Sequence, residues 1–466
     1  MKISHICMLF IGICCFAINS LSFAQEAEQT KVNRAPMVVH DKNPYPSTYQ
    51  AWPTQLTAII NAHILIGNGG EIESGTLIMD GGKIIAVGEN INIPEGAMLI
   101  DANGKWLTPG IIDMHSHMGI WTDGGNEVKS PNTAEVWGEH SIWPQTPNFP
   151  AALAAGVTTQ QNLPGSANQF GGRGVTLKMV PSRTTEGMKF PNAPYGVKMA
   201  CGENPRRVHK SQGRPSTAMG TFAGYRSSWI DATEYKKSWD NYEADYKAGK
   251  DVKAPKRDLK LETLMGVLND EISIQMHCYR ADEMVDVINM AKEFNYKITA
   301  FHHAVEAYKI ADILAKNDIC AGMWADWWGF KLESFDGIDE NIPMVAAAGG
   351  CAIVHSDSDT GGQRLNQEAA KAWADGERVG LHFSRGEVFK WLTLNPAKSI
   401  GLDDQIGSLE VGKNADVVIW NRDPLSVYAL AENVYIDGAL HYDRNDADHQ
   451  WITDHALGYV TAGDHQ

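Results

Sequence analysis

Basic residues are in short supply in this 466-residue chain: Lys and Arg total 40 against 56 Asp and Glu, a formal charge of −16. Phosphate backbones repel so acidic a chain, which argues against a nucleic-acid partner. With 44 Gly, 20 Pro and 7 Cys, the chain lacks the bias of a collagen-like, disordered or disulfide-scaffold protein. No C-x-x-C pair joins the cysteines, no internal repeat or low-complexity tract occurs, and no second long apolar run follows the first one. Hydrophobic residues make up 43% and charged residues 21%, the composition of a globular chain with a substantial core, and the length suits two or three domain-sized units.

Residues 1–24 read as a secretory signal peptide: Lys2, an apolar stretch from Ile6 to Ile18, and Ser22-Phe23-Ala24 as a small-x-small cleavage site before Gln25. The stretch is short of the about 20 apolar residues of a membrane span, so an exported protein, periplasmic or secreted, with no stable span after cleavage is expected. Cys7, Cys14 and Cys15 leave with the signal. Cys201, Cys278, Cys320 and Cys351 remain in hydrophobic, strand-like contexts, open to disulfides in an exported protein but equally suited to buried free thiols.

A polar, proline-dotted tail is expected over 25–55. Residues 56–108 then read as short strands with turns, and Asp80-Gly81 between two apolar runs signals a hairpin. From Pro109 the pattern becomes strand and helix in alternation. Strand-like runs end in Ala200, His277, His302 and His355, and helical stretches lie between them, as at Ala281 to Phe294. Repeated strand–helix units predict an α/β fold with a parallel sheet, and residues 109–404 are enough for a (β/α)8 TIM-type barrel. A charged and aromatic stretch, 225–259, reads as a helical insertion. Gln169-Phe170-Gly171-Gly172-Arg173-Gly174 reads as a turn. Strand character returns over 405–445, before a C-terminal tail at 446–466. The small β-domain is therefore expected to be a β-sandwich built from both flanks of the chain.

The sharpest motif is Pro109-Gly110-Ile111-Ile112-Asp113-Met114-His115-Ser116-His117. Residues two apart on a strand share a face, so His115 and His117 present two imidazoles together. His277, the pair His302-His303, and Asp357 stand at the ends of later strand-like runs. Barrel enzymes carry their chemistry at those ends, and His and Asp donors gathered there suit zinc or a similar divalent ion.

With these residues in place the sequence resembles the amidohydrolase superfamily, in its imidazolonepropionase-like and Xaa-Pro dipeptidase-like branch. The motif around His115 and the run Ile406-Gly407-Ser408-Leu409-Glu410-Val411-Gly412-Lys413-Asn414-Ala415-Asp416 carry that resemblance. It implies one or two divalent metals per chain, most readily zinc. His115 and His117 would hold the more buried one, and His277 and His303 would bind a second or orient the substrate. Asp357 would bind metal and act as the catalytic base with His303 beside it. His303 is preferred over His302 because His303-Ala304-Val305-Glu306-Ala307-Tyr308 is similar to a family His-x-x-Glu-x-Tyr run. Two residues compete to bridge the metals: a carboxylated Lys198 in Val197-Lys198-Met199-Ala200, or Glu203 just beyond. A lysine inside a barrel needs neutralising, pairing or modification, which favours Lys198; with neither, the site is mononuclear.

The expected reaction is hydrolysis of an amide (C–N) bond by metal-activated water, in a dipeptide or N-acyl amino acid. Tyr279 and Arg280 are candidate substrate contacts, Arg280 as a fork for a carboxylate. Two alternatives compete: a cyclic amidohydrolase or heterocycle deaminase, and an inactive binding protein on the same barrel. The expected partner is a small-molecule amide or peptide, and a homo-oligomer is compatible with the chain.

Overall fold

The computed structural model describes residues 36–39, 41–120 and 125–457. The expected signal peptide lies outside the described residues, as do the start of the N-terminal tail and the last residues of the C-terminal one. The described residues divide into two compact units, 36–39 with 239–255, and 41–238 with 256–457 apart from 121–124. In the smaller one, the Val38 N–H donates to the Tyr242 hydroxyl at 3.0 Å, near the end of the helix Ala218–Lys247. Among the described residues no helix is long and apolar enough to cross a membrane.

The larger unit opens with strands β1 (Thr57–Leu65), β2 (Glu71–Asp80), β3 (Lys83–Gly88), β4 (Met98–Asp101) and β5 (Trp106–Pro109). Between β2 and β3 the chain reverses through Gly81 and Gly82, with φ of 55° and 81°, a pair of left-handed conformations that glycine adopts without a Cβ clash. The barrel sheet follows: β6 (Ile111–Ser116), β7 (Val157–Asn162), β8 (Phe170–Lys178), β9 (Tyr195–Ala200), β10 (Ile272–Cys278), β11 (Ala300–His303), β12 (Cys320–Met323) and β13 (Cys351–Val354), each paired with the next in that order. Every residue of β6, β7, β8 and β9 is buried, as a sheet covered on both faces requires. The edge strands meet through backbone bonds from Asp357 N–H to the His115 carbonyl (2.8 Å) and from His117 N–H to the Ser358 carbonyl (3.2 Å), which nearly close the barrel. The chain ends with β14 (Val417–Trp420), β15 (Ala431–Ile436) and β16 (Ala439–Asp443), and these join β5, β1, β2 and β3 in one flanking sheet, with β4 paired to β1.

Two expectations need correction here. The barrel is not an unbroken (β/α)8 repeat, because β8 runs antiparallel to both β7 and β9. Only residues 163–169 separate β7 from β8, and a parallel return needs a crossover of about a dozen residues or more, so the chain comes straight back. The glycine-rich segment read as a turn is the start of this buried strand. A Cβ on Gly172, whose φ is 113°, would lie 2.4 Å from the Val136 carbonyl oxygen, so the glycine admits a close backbone approach.

One buried charge cluster ties β8 to the flanking sheet. The Lys178 ammonium, its side chain 1% exposed, lies 2.9 Å from Asp437 and 4.0 Å from Asp416. Burial pushes the Asp416 carboxyl up, against the pull of Lys178. Removing the cation strands two buried carboxylates, so Lys178→Met should cost about 3–5 kcal/mol of stability, read by denaturant unfolding. A loss under about 1 kcal/mol would show the cluster to be dispensable.

Candidate metal and catalytic site

The barrel brings its chemistry to the ends of β6, β9, β10, β11 and β13. His115 and His117 come from β6 and the residue after it. The Asp357 carboxylate lies 3.1 Å from His115 Nε2, 2.9 Å from His117 Nε2 and 3.6 Å from His303 Nε2. The fully buried Lys198 Nζ is 2.9 Å from His115 Nε2. His277 packs on His303 with ring centroids 4.7 Å apart. The sequence-predicted donors His115, His117, Lys198, His277, His303 and Asp357 are thus neighbours in space.

His302 and His303 illustrate how the backbone does this. Register pairs Ala200 with His277 and His277 with His302, so these residues share a face of the sheet. His303 aligns with Cys278 and, in a regular strand, would point the other way. Its φ of 70° breaks the alternation, and both imidazoles end near His115, with ring centroids 4.6 and 5.0 Å away. His302 is engaged by Gln275 Oε1 at 2.7 Å, which leaves His303 facing Asp357. Asp357 is left-handed too, at φ 49°. Non-glycine residues held there carry backbone strain, a feature that collects at functional sites.

Burial, and then neighbouring cations, push His115, His277, His302 and His303 well below the ordinary imidazole value, and burial takes His355 down to about 4. These imidazoles are therefore neutral, with lone pairs to offer. Burial alone would raise Asp357, but its hydrogen bond to His117 and the nearby charges hold it below the usual carboxylate value. Burial also brings Lys198 down to about 8.

The donor set fits a divalent cation. His117 Nδ1 lies 3.0 Å from the Leu163 carbonyl and donates to it, which turns Nε2 toward Asp357. Both His277 nitrogens and the Nδ1 atoms of His115, His302 and His355 are buried without a hydrogen-bond partner among the described residues. Two groups of donors lie within 4.8 Å of one another: His115, His117 and Asp357, and His115, His303 and His355.

Sequence reasoning missed His355 as a donor. The signal was present, since His355 precedes Asp357 by two residues, the spacing that singled out His115 and His117. Asp113, in the same motif as His115, was also passed over. It is buried, accepts from the Ser356 hydroxyl at 2.5 Å and from the His115 N–H at 3.3 Å, and so braces β6 against the loop that carries Asp357.

The other candidates divide between the site and its surroundings. Glu203 opens the helix Glu203–His209, after the chain turns at Gly202 (φ 76°), and belongs to neither donor group. Tyr279 is at the site, its ring 4.8 Å from His277 and 5.4 Å from His303. Arg280 is not: it precedes the helix Ala281–Phe294, is 47% exposed, and forks onto Asp282 at 3.0 and 3.1 Å. Of the two states left open for the cysteines, the structure has the disulfides. Cys201 pairs with Cys278 and Cys320 with Cys351, with Cα–Cα distances of 5.2 and 4.5 Å. Residues separated by 77 and 31 positions meet because neighbouring strands carry them together, Cys201 just past the end of β9 beside Cys278 on β10, and Cys320 and Cys351 in direct register.

The sequence profile of the amidohydrolase family matches residues 337–440. A solved structure described as an amidohydrolase from Thermotoga maritima MSB8 is 34% identical, with a TM-score of 0.75; the match covers 83% of this chain and 100% of that one. The curated amidohydrolase tasK of Hapsidospora irregularis is 30% identical over 79% of this chain, which spans 40% of that relative's length. An imidazolonepropionase of Mesorhizobium japonicum is 22% identical over 78% of this chain and 91% of its own.

Proposed function

Since the chain belongs to the amidohydrolase family, we propose that it is a metal-dependent hydrolase acting on carbon–nitrogen bonds, cleaving the amide of a dipeptide or N-acyl amino acid. One observation carries the reading: an ionised Asp357 held against His115, His117 and His303 at the mouth of a barrel, with Lys198 on the same imidazole.

His115, His117 and Asp357 would hold one ion, and His303, with His277 or His355, a second. Lys198, carboxylated on Nζ, would lie between them; zinc suits such nitrogen and oxygen donors. When bound, a divalent cation acidifies water and polarises the scissile carbonyl. The Asp357 carboxylate takes the proton of the attacking water and returns it to the leaving nitrogen, base and then acid. His303, facing one carboxylate oxygen, and His117, facing the other, aim that carboxylate. Tyr279 walls the pocket beside them.

The test is a hydrolysis screen over Xaa-Pro, Xaa-Arg and N-acyl amino acids, with cyclic amides and aminated heterocycles alongside, on protein of measured metal content. Release of a free amino acid is expected. Ammonia release, or opening of a cyclic amide alone, would move the activity to a deaminase or cyclic amidohydrolase. No turnover and no metal uptake would leave an inactive binding protein.

Export is part of the same proposal. Two disulfides support an oxidising compartment. Sequencing the mature protein should find Gln25 first; an intact Met1 on the folded protein would refute cleavage.

A further inference from the structure

The segment after β12, Trp324 to Phe335, is rich in exposed aromatic rings and holds one cation that the catalytic reading does not use. Trp324 stacks on His303 with centroids 4.4 Å apart, and Trp327 stacks on Trp324 at 4.7 Å. Phe330 sets its edge against Trp324 (5.6 Å) and Tyr279 (6.3 Å). Trp327 and Phe330 remain 48% and 51% exposed, so the wall is apolar and faces outward from the site.

Lys331 is half-buried within this wall. Its ammonium lies 3.9 Å from the Tyr279 ring centroid and 5.8 Å from that of Phe330, and it donates to Asn204 Oδ1 at 2.9 Å. These partners are all neutral. The neighbouring Glu333 is engaged by Arg206 at 2.8 Å, and Glu203 and Asp357 reach Lys331 only through their longer-range fields. Burial lowers the Lys331 pKa to about 8, in keeping with a cation that no carboxylate has paired. Tyr279 spans the distance to the catalytic residues, touching Lys331 on one side and His277 and His303 on the other.

We propose that Lys331, rather than Arg280, sets the specificity of this site: it takes the free carboxylate of an amino-acid moiety whose apolar side chain lies on Tyr279, Trp327 and Phe330. The inference deepens the proposed amide hydrolysis and rests on it for the placement of the scissile bond beside Asp357. An N-acyl or N-aminoacyl derivative of an apolar or aromatic amino acid, with its carboxylate free, is the substrate class that follows.

The test uses a probe the enzyme cannot cleave, N-methanesulfonyl-L-phenylalanine, against its carboxamide, which has the same shape without the charge. Tryptophan fluorescence titration reads both affinities in the metal-loaded protein. The wild type should bind the acid about tenfold or more tightly than the amide, the Lys331→Met variant should lose that preference, and Lys331→Arg should keep most of it. Equal affinities in the wild type, no binding of either probe, or a preference that survives in Lys331→Met would each overturn the assignment, the last because it would put the carboxylate on another group. The hydrolysis screen is read separately: amide cleavage with no acid preference removes Lys331 alone, whereas an acid preference without cleavage of any amide removes the proposed activity alone.

Discussion

Asp357→Asn should reduce kcat by about 10³-fold or more while leaving the melting temperature nearly unchanged. The magnitude is that of a lost general base, about 10² to 10⁴, with the loss of an anionic donor added to it. Asparagine matches aspartate in shape and tolerates the left-handed backbone, so the φ of 49° at this position adds no strain. It cannot take a proton from water at neutral pH. Steady-state kinetics on a substrate found in the screen, with a thermal melt of the same preparation, make the comparison. A variant within tenfold of wild type would remove Asp357 from the base role. Asp357→Ala is the weaker experiment, because a Cβ-bearing residue with no polar side chain is strained at that φ and would confuse loss of chemistry with loss of fold.

Stripping divalent cations should abolish turnover and destabilise the fold together. His115, His277, His302 and His355 are neutral, buried, and carry nitrogens with no hydrogen-bond partner among the described residues. A cation that binds the folded chain at about a thousand times its Kd contributes about 4 kcal/mol of stability, and dialysis against a chelator withdraws it. The measurements are metal content, activity and the melting curve before dialysis, after it, and after adding back zinc. Restoration of both properties by zinc is expected, with one or two equivalents per chain. Full activity and an unchanged melt in protein holding under a tenth of an equivalent would sink the metal-dependent reading.

Much of the scaffold was readable because it rests on local periodicity. The run Ile111 to Ser116 is buried throughout, opening on two isoleucines, and the helix Ala281–Phe294 carries its apolar residues on one face. Asp80-Gly81 marked a reversal that needs positive φ. His115 and His117 were legible as a pair for the same reason: a two-residue period puts them on one side of a strand whatever lies around it. The flanking strands on either side of the barrel were visible, and so was their joining in one small β-domain, but their order in a single eight-stranded sheet was not.

Local pattern could not say which way β8 runs, because strand direction depends on the reach of the connection and on what the partner strands leave open. Nor could it choose among candidates whose roles depend on distant neighbours. Arg280 and Lys331 are both cations near aromatic residues in the sequence; only packing turns the first onto Asp282 and lodges the second against Tyr279. Cys201 met Cys278, and Cys320 met Cys351, through strand adjacency that spacing does not encode. The sequence by itself determined which chemical groups are available and on which face of a local element each stands, since that follows from backbone periods of two and 3.6 residues. The tertiary structure alone decided which of them share one small volume, since long-range strand pairing, and left-handed backbone at His303 and Asp357 held against its strain by the surrounding barrel, set those distances.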